Sequence, residues 1–216
     1  VLKLIKLGYK IIGIDLAEQV NDNIVYYQAD ITKKKEIESI LRQNNEKVSV
    51  LINNAGVSVF QPFEDRTEEE IDFVMDVNIK ANILMSQIIY NNFFKVQNAG
   101  SIINIGSIYG VVSGDMRIYK NGDRRTPEIY GATKAAVINL TKYFATYMAP
   151  NNVRVNCISP GGIYNNQDND FVDNYSKKVP MDRMGNENEL SSTVEYLLSE
   201  NSSYVTGTAI PIDGGS

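Results

Sequence analysis

Tyr130 and Lys134 stand four positions apart, so on a helix they share one face. A phenol is a poor base at neutral pH, but a nearby ammonium favours its ionised form. Ser107, earlier in the chain, carries a hydroxyl that could hydrogen-bond a substrate oxygen beside such a pair. Together a Ser, a Tyr and a Lys can move a proton onto or off an alcohol oxygen. They cannot take up two electrons, so oxidation needs a borrowed hydride carrier. A lone Tyr-x-x-x-Lys is weak evidence, and its plain alternative is a surface aromatic beside a solvated lysine. Composition narrows the choice by subtraction. The 216 residues include no His and one Cys. That excludes a Ser-His-Asp triad, an H-E-x-x-H zinc site and an intrachain disulfide, and no metal site is expected.

The elements that must position these groups read as strict β-α alternation. Apolar runs at 9–15, 24–28, 48–53, 101–106, 153–159 and 208–213 predict strands, and several are continuous enough for a sheet buried on both faces. Helical patterns fall at 33–43, 68–95, 127–148 and 187–199. Thr67-Glu68-Glu69-Glu70 reads as a capping box, and Pro127 suits a helix start. The expected fold class is α/β, a Rossmann-like doubly wound parallel sheet in a single domain over 1–216. Ligands of such sheets bind beyond the carboxyl ends of the strands. Those ends carry Asp15, Asn53-Asn54-Ala55-Gly56, Ser107 and Pro160-Gly161-Gly162. Each group alone reads equally well as a loop. Four polar strand ends on one rim favour a binding site.

Charge excludes other partners. The net charge is −5 with 21 scattered Lys and Arg residues, so no basic patch for nucleic acid is expected. No apolar run has the length of a membrane span, and no signal-peptide pattern opens the chain. A cytoplasmic protein acting on a small molecule is the expectation.

In sequence order, Asn53-Asn54-Ala55-Gly56, Asn78 within Asp76-Val77-Asn78-Ile79-Lys80, Ser107, Tyr130 with Lys134, and Pro160-Gly161 resemble the motifs of the short-chain dehydrogenases/reductases. The run from Tyr204-Val205-Thr206-Gly207 to Asp213-Gly214-Gly215 is similar to that family's closing strand. The resemblance covers essentially the whole chain. It implies that Tyr130 is the acid/base, that Lys134 lowers its pKa and reaches the nicotinamide ribose, and that Ser107 orients the carbonyl or alcohol. Asn78 would help hold a water linking Lys134 to solvent. For the cofactor, the resemblance implies that Asp30 and Ile31 flank the adenine, that Asn54, Ala55 and Gly56 lie along the dinucleotide, and that Pro160, Gly161 and Ile163 border the nicotinamide. Asn165 stands where the family often has Thr. Asp15, at the end of its strand, would accept hydrogen bonds from the adenosine 2′-OH and repel a 2′-phosphate, which predicts NAD over NADP. Its plain alternative is a helix N-cap. A homodimer or homotetramer built on the helices 68–95 and 127–148 is implied by the same family.

Two departures qualify the resemblance. Relatives open with a strand and a Gly-rich turn that receives the pyrophosphate at a helix N-terminus. No G-x-G-x-x-G occurs here, and residues 1–8 read as the end of that first helix. The expectation is a domain lacking its first strand, turn and helix start, roughly 20 residues, hence a sheet interrupted at its middle and weak cofactor binding. The second departure is a long stretch between Ser107 and Tyr130, carrying Arg117, Lys120, Arg124 and Arg125. It reads either as a solvated surface loop or as a cationic rim for a polar, sugar-like substrate, phosphorylated or nucleotide-linked. Its wording resembles the branch associated with flagellin modification and surface polysaccharides. Nucleotide-sugar epimerases and dehydratases share the long spacing and form the alternative enzyme class. A dinucleotide-sensing regulator and an inert fragment are the non-enzymatic alternatives. Cys157, in a strand, is expected to be a packed thiol. The polar segment 165–183 reads as a cover over the substrate or as disorder.

Overall fold

A computed structural model describes residues 1–18, 23–43, 46–119 and 125–216. Helix α1 (Leu2–Lys6) is followed by strands β1 (Ile12–Asp15) and β2 (Val25–Gln28), helix α2 (Lys34–Arg42) and strand β3 (Val50–Asn53). Then come α3 (Glu68–Met75), α4 (Ala81–Ile89), α5 (Lys95–Gln97), β4 (Gly100–Ile105), α6 (Glu128–Met148), β5 (Val153–Pro160), α7 (Asn169–Ser176), α8 (Glu187–Leu198) and β6 (Ala209–Ile212). Every predicted strand is present, shortened at one or both ends or shifted by a residue. The predicted helix 68–95 is real, but two π-helical turns, Asp76–Lys80 and Tyr90–Phe94, divide it into α3, α4 and α5. The reciprocal capping box starts α3: Glu70 N donates to Thr67 Oγ1 at 3.3 Å and Thr67 N to Glu70 Oε2 at 3.2 Å. The segment 165–183 is not without structure. It contains α7, whose N-cap Asp168 accepts from the amides of Asp170 and Phe171.

All strands run parallel, in two sheets: β1-β2, and β3-β4-β5-β6. The described strands of the two sheets share no ladder, as expected for an interruption between β1 and β3. What joins them is apolar packing. Ile37 and Leu41 of α2, Leu51 of β3, Met85, Ile88 and Phe94 of the long helix, and Val155 of β5 belong to one buried cluster, against which Ile14 of β1 also packs. Strands β4 and β5 form the centre of the larger sheet. Ile102, Ile103, Val155, Cys157 and Ile158 have no exposed surface, which explains their unbroken apolar sequence. A second layer, with Leu197 of α8 against Ile103 and Ile158, covers the opposite face. Ser107 and Pro160-Gly161 therefore stand at the ends of the most buried strands described.

Candidate active site

Helix α6 crosses β4 and β5 with its polar stripe turned inward, against the usual pattern. Thr133, Lys134 and Thr141 are buried alongside Val137 and Phe144. Lys134 is only 4% exposed and donates to the carbonyl of Ile105, the last residue of β4, at 2.8 Å. Below it, Asn104 Nδ2 donates to Thr141 Oγ1 at 2.9 Å, while its Oδ1 accepts from Asn53 at 2.9 Å and Asn82 at 3.2 Å. These polar joints fix the rotation of α6 on the sheet. One turn before Lys134, Tyr130 then faces Ser107, two residues beyond the end of β4, and the two hydroxyls are close enough for the serine to influence the phenol's ionisation. Lys134 Nζ lies 5.5 Å from the centre of the Tyr130 ring.

The electrostatics differ from the sequence expectation in one respect. Burial raises the Tyr130 pKa, against the lowering effect of the Ser107 hydroxyl. Burial likewise lowers the Lys134 pKa. The expected stabilisation of a phenolate by the ammonium does not dominate, because both groups are desolvated and the amine donates to the Ile105 carbonyl. Two other phenols are nearby. Burial pushes Tyr109 up to about 12, so it stays protonated. Tyr119 hydrogen-bonds Thr126 Oγ1 at 2.8 Å.

Asn78 sits in the first π-helical turn, 3% exposed. Its amide donates to Val57 O and to Thr133 Oγ1, both at 3.0 Å, and its Oδ1 accepts from Val57 N at 2.8 Å. The side chain thus cross-links the long helix, the 57 loop and α6. The extra residue of a π turn is what points this side chain inward. Sequence reasoning missed Thr133, which accepts that bond and donates to Tyr130 O at 2.9 Å. Its signal was present: it falls within Tyr130-Gly131-Ala132-Thr133-Lys134, one position from the Lys134 face.

The remaining predicted residues line the same rim. Asn54, Ala55 and Gly56 are exposed just past β3. A Cβ at Gly56 would come within 3.2 Å of Lys134 Nζ, so a ligand ring can approach the amine only because this position has none. Pro160 ends β5, and Gly161 N donates to Ile212 O at 2.9 Å. Ile163 bridges to Gly185. Asp15 ends β1, exposed, with its Oδ1 accepting from Ala17 N at 3.1 Å, a local turn and not a helix cap. Asp30 and Ile31 stand just past the end of β2, both half-buried. Burial would raise the Asp30 pKa, but two hydrogen bonds from Thr32, at 2.8 and 2.7 Å, and the charges of Lys33 and Lys80 lower it. Ile31 packs on the core. Cys157 is buried, and burial raises its thiol pKa, as expected of a packed residue.

Of the four cations between Ser107 and Tyr130, Arg117 and Arg125 lie within the described residues. Arg117 is exposed and held by Asp115 through Nε–Oδ1 at 3.0 Å and Nη2–Oδ2 at 2.7 Å. Hydrogen bonds from Arg117 and Lys178 hold the Asp115 carboxyl far below the usual range. Lys120 and Arg124 lie outside the described residues. Arg125 lines a cavity of about 330 Å³ with Gln61, Phe63, Ser113, Met116 and Glu128. Arg66, its side chain 3% exposed, ties one wall of this region together by bonding Glu70, Glu128 and the Gln61 carbonyl. Among the described residues no cluster of His, Cys, Asp and Glu could hold a metal ion, and no helix is long and apolar enough to cross a membrane.

Comparison with known proteins agrees with this geometry. The sequence model of a family described as enoyl-(acyl carrier protein) reductase matches residues 13–216. An NAD-dependent glycerol dehydrogenase of Listeria innocua is 32% identical over 93% of this chain and 78% of its own. A 3-oxoacyl-(acyl-carrier-protein) reductase of Thermotoga maritima is 32% identical over 92% of this chain and 79% of its own. The solved structure of a short-chain dehydrogenase from Leptospira borgpetersenii, with bound NAD+, superposes with a TM-score of 0.93 at 45% identity, covering 99% of this chain and 85% of that one.

The burial of Tyr130 makes a prediction about the free protein. The absorbance difference between wild type and Tyr130→Phe on alkaline titration should place this phenol's ionisation above the ordinary value of 10.0, because the charged form is the desolvated one. An ionisation below that value would mean that Lys134 outweighs burial.

Proposed function

The chain belongs to the short-chain dehydrogenase/reductase family, and from that premise we propose that it interconverts a secondary alcohol and a carbonyl on a polar, sugar-like small molecule with NAD(H). The whole chain is taken to act as one dinucleotide-binding unit. The observation that carries the reading is the meeting of Ser107, Tyr130 and Lys134 at the carboxyl ends of β4 and β5, cross-linked by Asn78. The residues present fit a nicotinamide dinucleotide: open backbone at Gly56 beside Lys134, the 160–163 loop across from it, and an exposed carboxylate at Asp15. Bound there, that cofactor supplies the two-electron acceptor or donor that no side chain of this protein can be.

The chain's own residues then divide the work. Ser107 Oγ donates to the substrate oxygen and fixes its direction. The Tyr130 phenol gives its proton to that oxygen during reduction and takes it back during oxidation. Its raised pKa suits the protonated, donating state of the free site. Lys134, held by Ile105, presents a cation to the phenol ring and to the ribose hydroxyls it faces across Gly56. Asn78 keeps Thr133 and the 57 loop in place, and so keeps α6 in register. Asp15 distinguishes a free 2′-OH from a 2′-phosphate, because an exposed carboxylate accepts from the first and repels the second.

For the substrate, the cavity mixes apolar Phe63 and Met116 with Gln61, Ser113 and Glu128, a lining that suits a neutral polyhydroxylated molecule. A phosphorylated sugar is disfavoured by the pairing of Arg117 with Asp115. The exposed Phe73 of α3 and the stacked, exposed Tyr143 and Tyr147 of α6 support assembly of copies through these helices.

Three measurements test the reading. Tyr130→Phe should lower kcat by about a hundredfold or more while leaving cofactor affinity within about twofold, since only proton exchange with substrate is removed. Retention of near-wild-type turnover would remove Tyr130 from the chemistry. The ratio of kcat/KM for NAD over NADP should exceed about ten in wild type and collapse in Asp15→Ala, because a repelled phosphate costs more than about 1.4 kcal/mol. Equal ratios in both proteins would refute the role of Asp15. Across a panel of a neutral sugar or polyol, its phosphate ester and a 3-oxoacyl thioester, the neutral compound should have the highest kcat/KM. Preference for the thioester would overturn the substrate assignment.

A further inference from the structure

Tyr175 is the last aromatic of α7, outside the catalytic group, yet its hydroxyl reaches the cofactor side of the rim. It is 7% exposed, and its Oη accepts a hydrogen bond from Gly162 N at 2.6 Å. The glycines of that loop make room for it. A Cβ at Gly162 would lie 2.6 Å from Tyr175 Cζ, and one at Gly161 would lie 3.3 Å from its Oη and 2.9 Å from Asp213 Cα. The phenol thus requires Gly162, while Gly161 is required first by the Asp213 backbone.

The loop is otherwise tied only at its margins. Gly161 N donates to Ile212 O at 2.9 Å, and Gly185 N to Gly162 O at 2.9 Å. The Gly162 amide has Tyr175 as its partner, and α7 has its own anchor on the far side. Tyr119 packs on Phe171 at 5.6 Å between ring centres, Phe171 packs on Tyr175 at 5.9 Å, Asn174 Nδ2 donates to Ile118 O at 3.4 Å, and Lys178 is ion-paired with Asp115. Ile118, Tyr175, Val179 and Met184 form a separate apolar cluster around this joint. The stretch after Ser107 and the segment after Ile163 therefore make one body, and its single hydroxyl contact with the 160–163 loop is Tyr175.

We propose that Tyr175 is a positioning residue that fixes the 160–163 loop, and through it the nicotinamide half of the cofactor, according to whether α7 is docked on residues 115–119. The loop part of this inference rests on the contacts above. The cofactor part rests on the dehydrogenase reading. When α7 is docked, the phenol caps the Gly162 amide and the loop has one conformation. When α7 is displaced, that amide loses its partner and the loop keeps only its bonds at Gly161, the Gly162 carbonyl and Ile163. Tyr175 touches neither substrate nor the reacting atoms in this role.

The test is Tyr175→Phe, which keeps the ring and the apolar cluster and removes only the hydroxyl. Hydrogen exchange measured on the full chain without cofactor should speed up at 160–164 by about tenfold, the loss of one hydrogen bond, with exchange in β4 and α6 unchanged. Calorimetry should then show NADH binding weakened about five- to tenfold and ADP-ribose binding, which lacks the nicotinamide, unchanged within about twofold. Gly162→Ala, which crowds the ring instead of shortening it, should shift both readouts in the same direction. Unchanged exchange at 160–164 would overturn the proposal. Equal weakening of NADH and ADP-ribose would overturn it as well, because general support of the fold acts on both. Faster exchange in a protein whose wild type binds neither ligand would uphold the loop contact while refuting its coupling to a nicotinamide, and with it the dehydrogenase reading.

Discussion

An ammonium buried to 4% exposure is tolerable only with a hydrogen-bond partner, and Lys134 takes the carbonyl of Ile105 at 2.8 Å. That requirement sets the rotation and the axial position of α6 on the sheet. From it follow the approach of Tyr130 to Ser107, the docking of Thr133 on Asn78 and that of Thr141 on Asn104. A helix that buried an apolar stripe instead could slide or rotate by a residue at small cost. One that buries a lysine and two threonines, each with a specific partner, cannot, since every displaced polar group would be left without one. Catalytic geometry and fold specificity thus come from the same bonds.

The sheet beneath is held in a less uniform way. β4 and β5 are buried on both faces and laddered over six residue pairs, so the strand ends bearing Ser107 and Pro160 are rigid. β1 and β2 form a separate two-stranded sheet, tied to the rest through the apolar contacts of α2, Ile14 and the long helix. The β1 side of the rim therefore depends on side-chain packing, and the β4–β5 side on backbone hydrogen bonds. Local opening should be easier at Asp15 than at Ser107, because a two-stranded sheet has little stability of its own.

The surface over the site is built from two distant segments that neutralise each other. Asp115 takes the charges of both Arg117 and Lys178, and Tyr119 and Phe171 join beneath them. The charge of Arg117, which in the linear chain reads as part of a rim for an anion, is neutralised by Asp115.

Much of this was legible without coordinates. Alternating strand and helix periods, the capping box at Thr67, the strand-end residues and the Tyr130/Lys134 spacing depend on local geometry, and local geometry is what a chain encodes at short range. The π turn that aims Asn78 was not legible, since its i to i+5 bonding is chosen by what packs outside the helix. Nor was the pairing of Arg117 with Asp115. The sequence by itself determined which residues could do proton chemistry and on which edge of the sheet they would stand. Tertiary structure alone decided their ionisation, because burial and not the neighbouring charge governs Tyr130 and Lys134. It also decided that a phenol in α7 reaches Gly162, since that contact depends on how two loops fold back over the rim and no spacing along the chain specifies it.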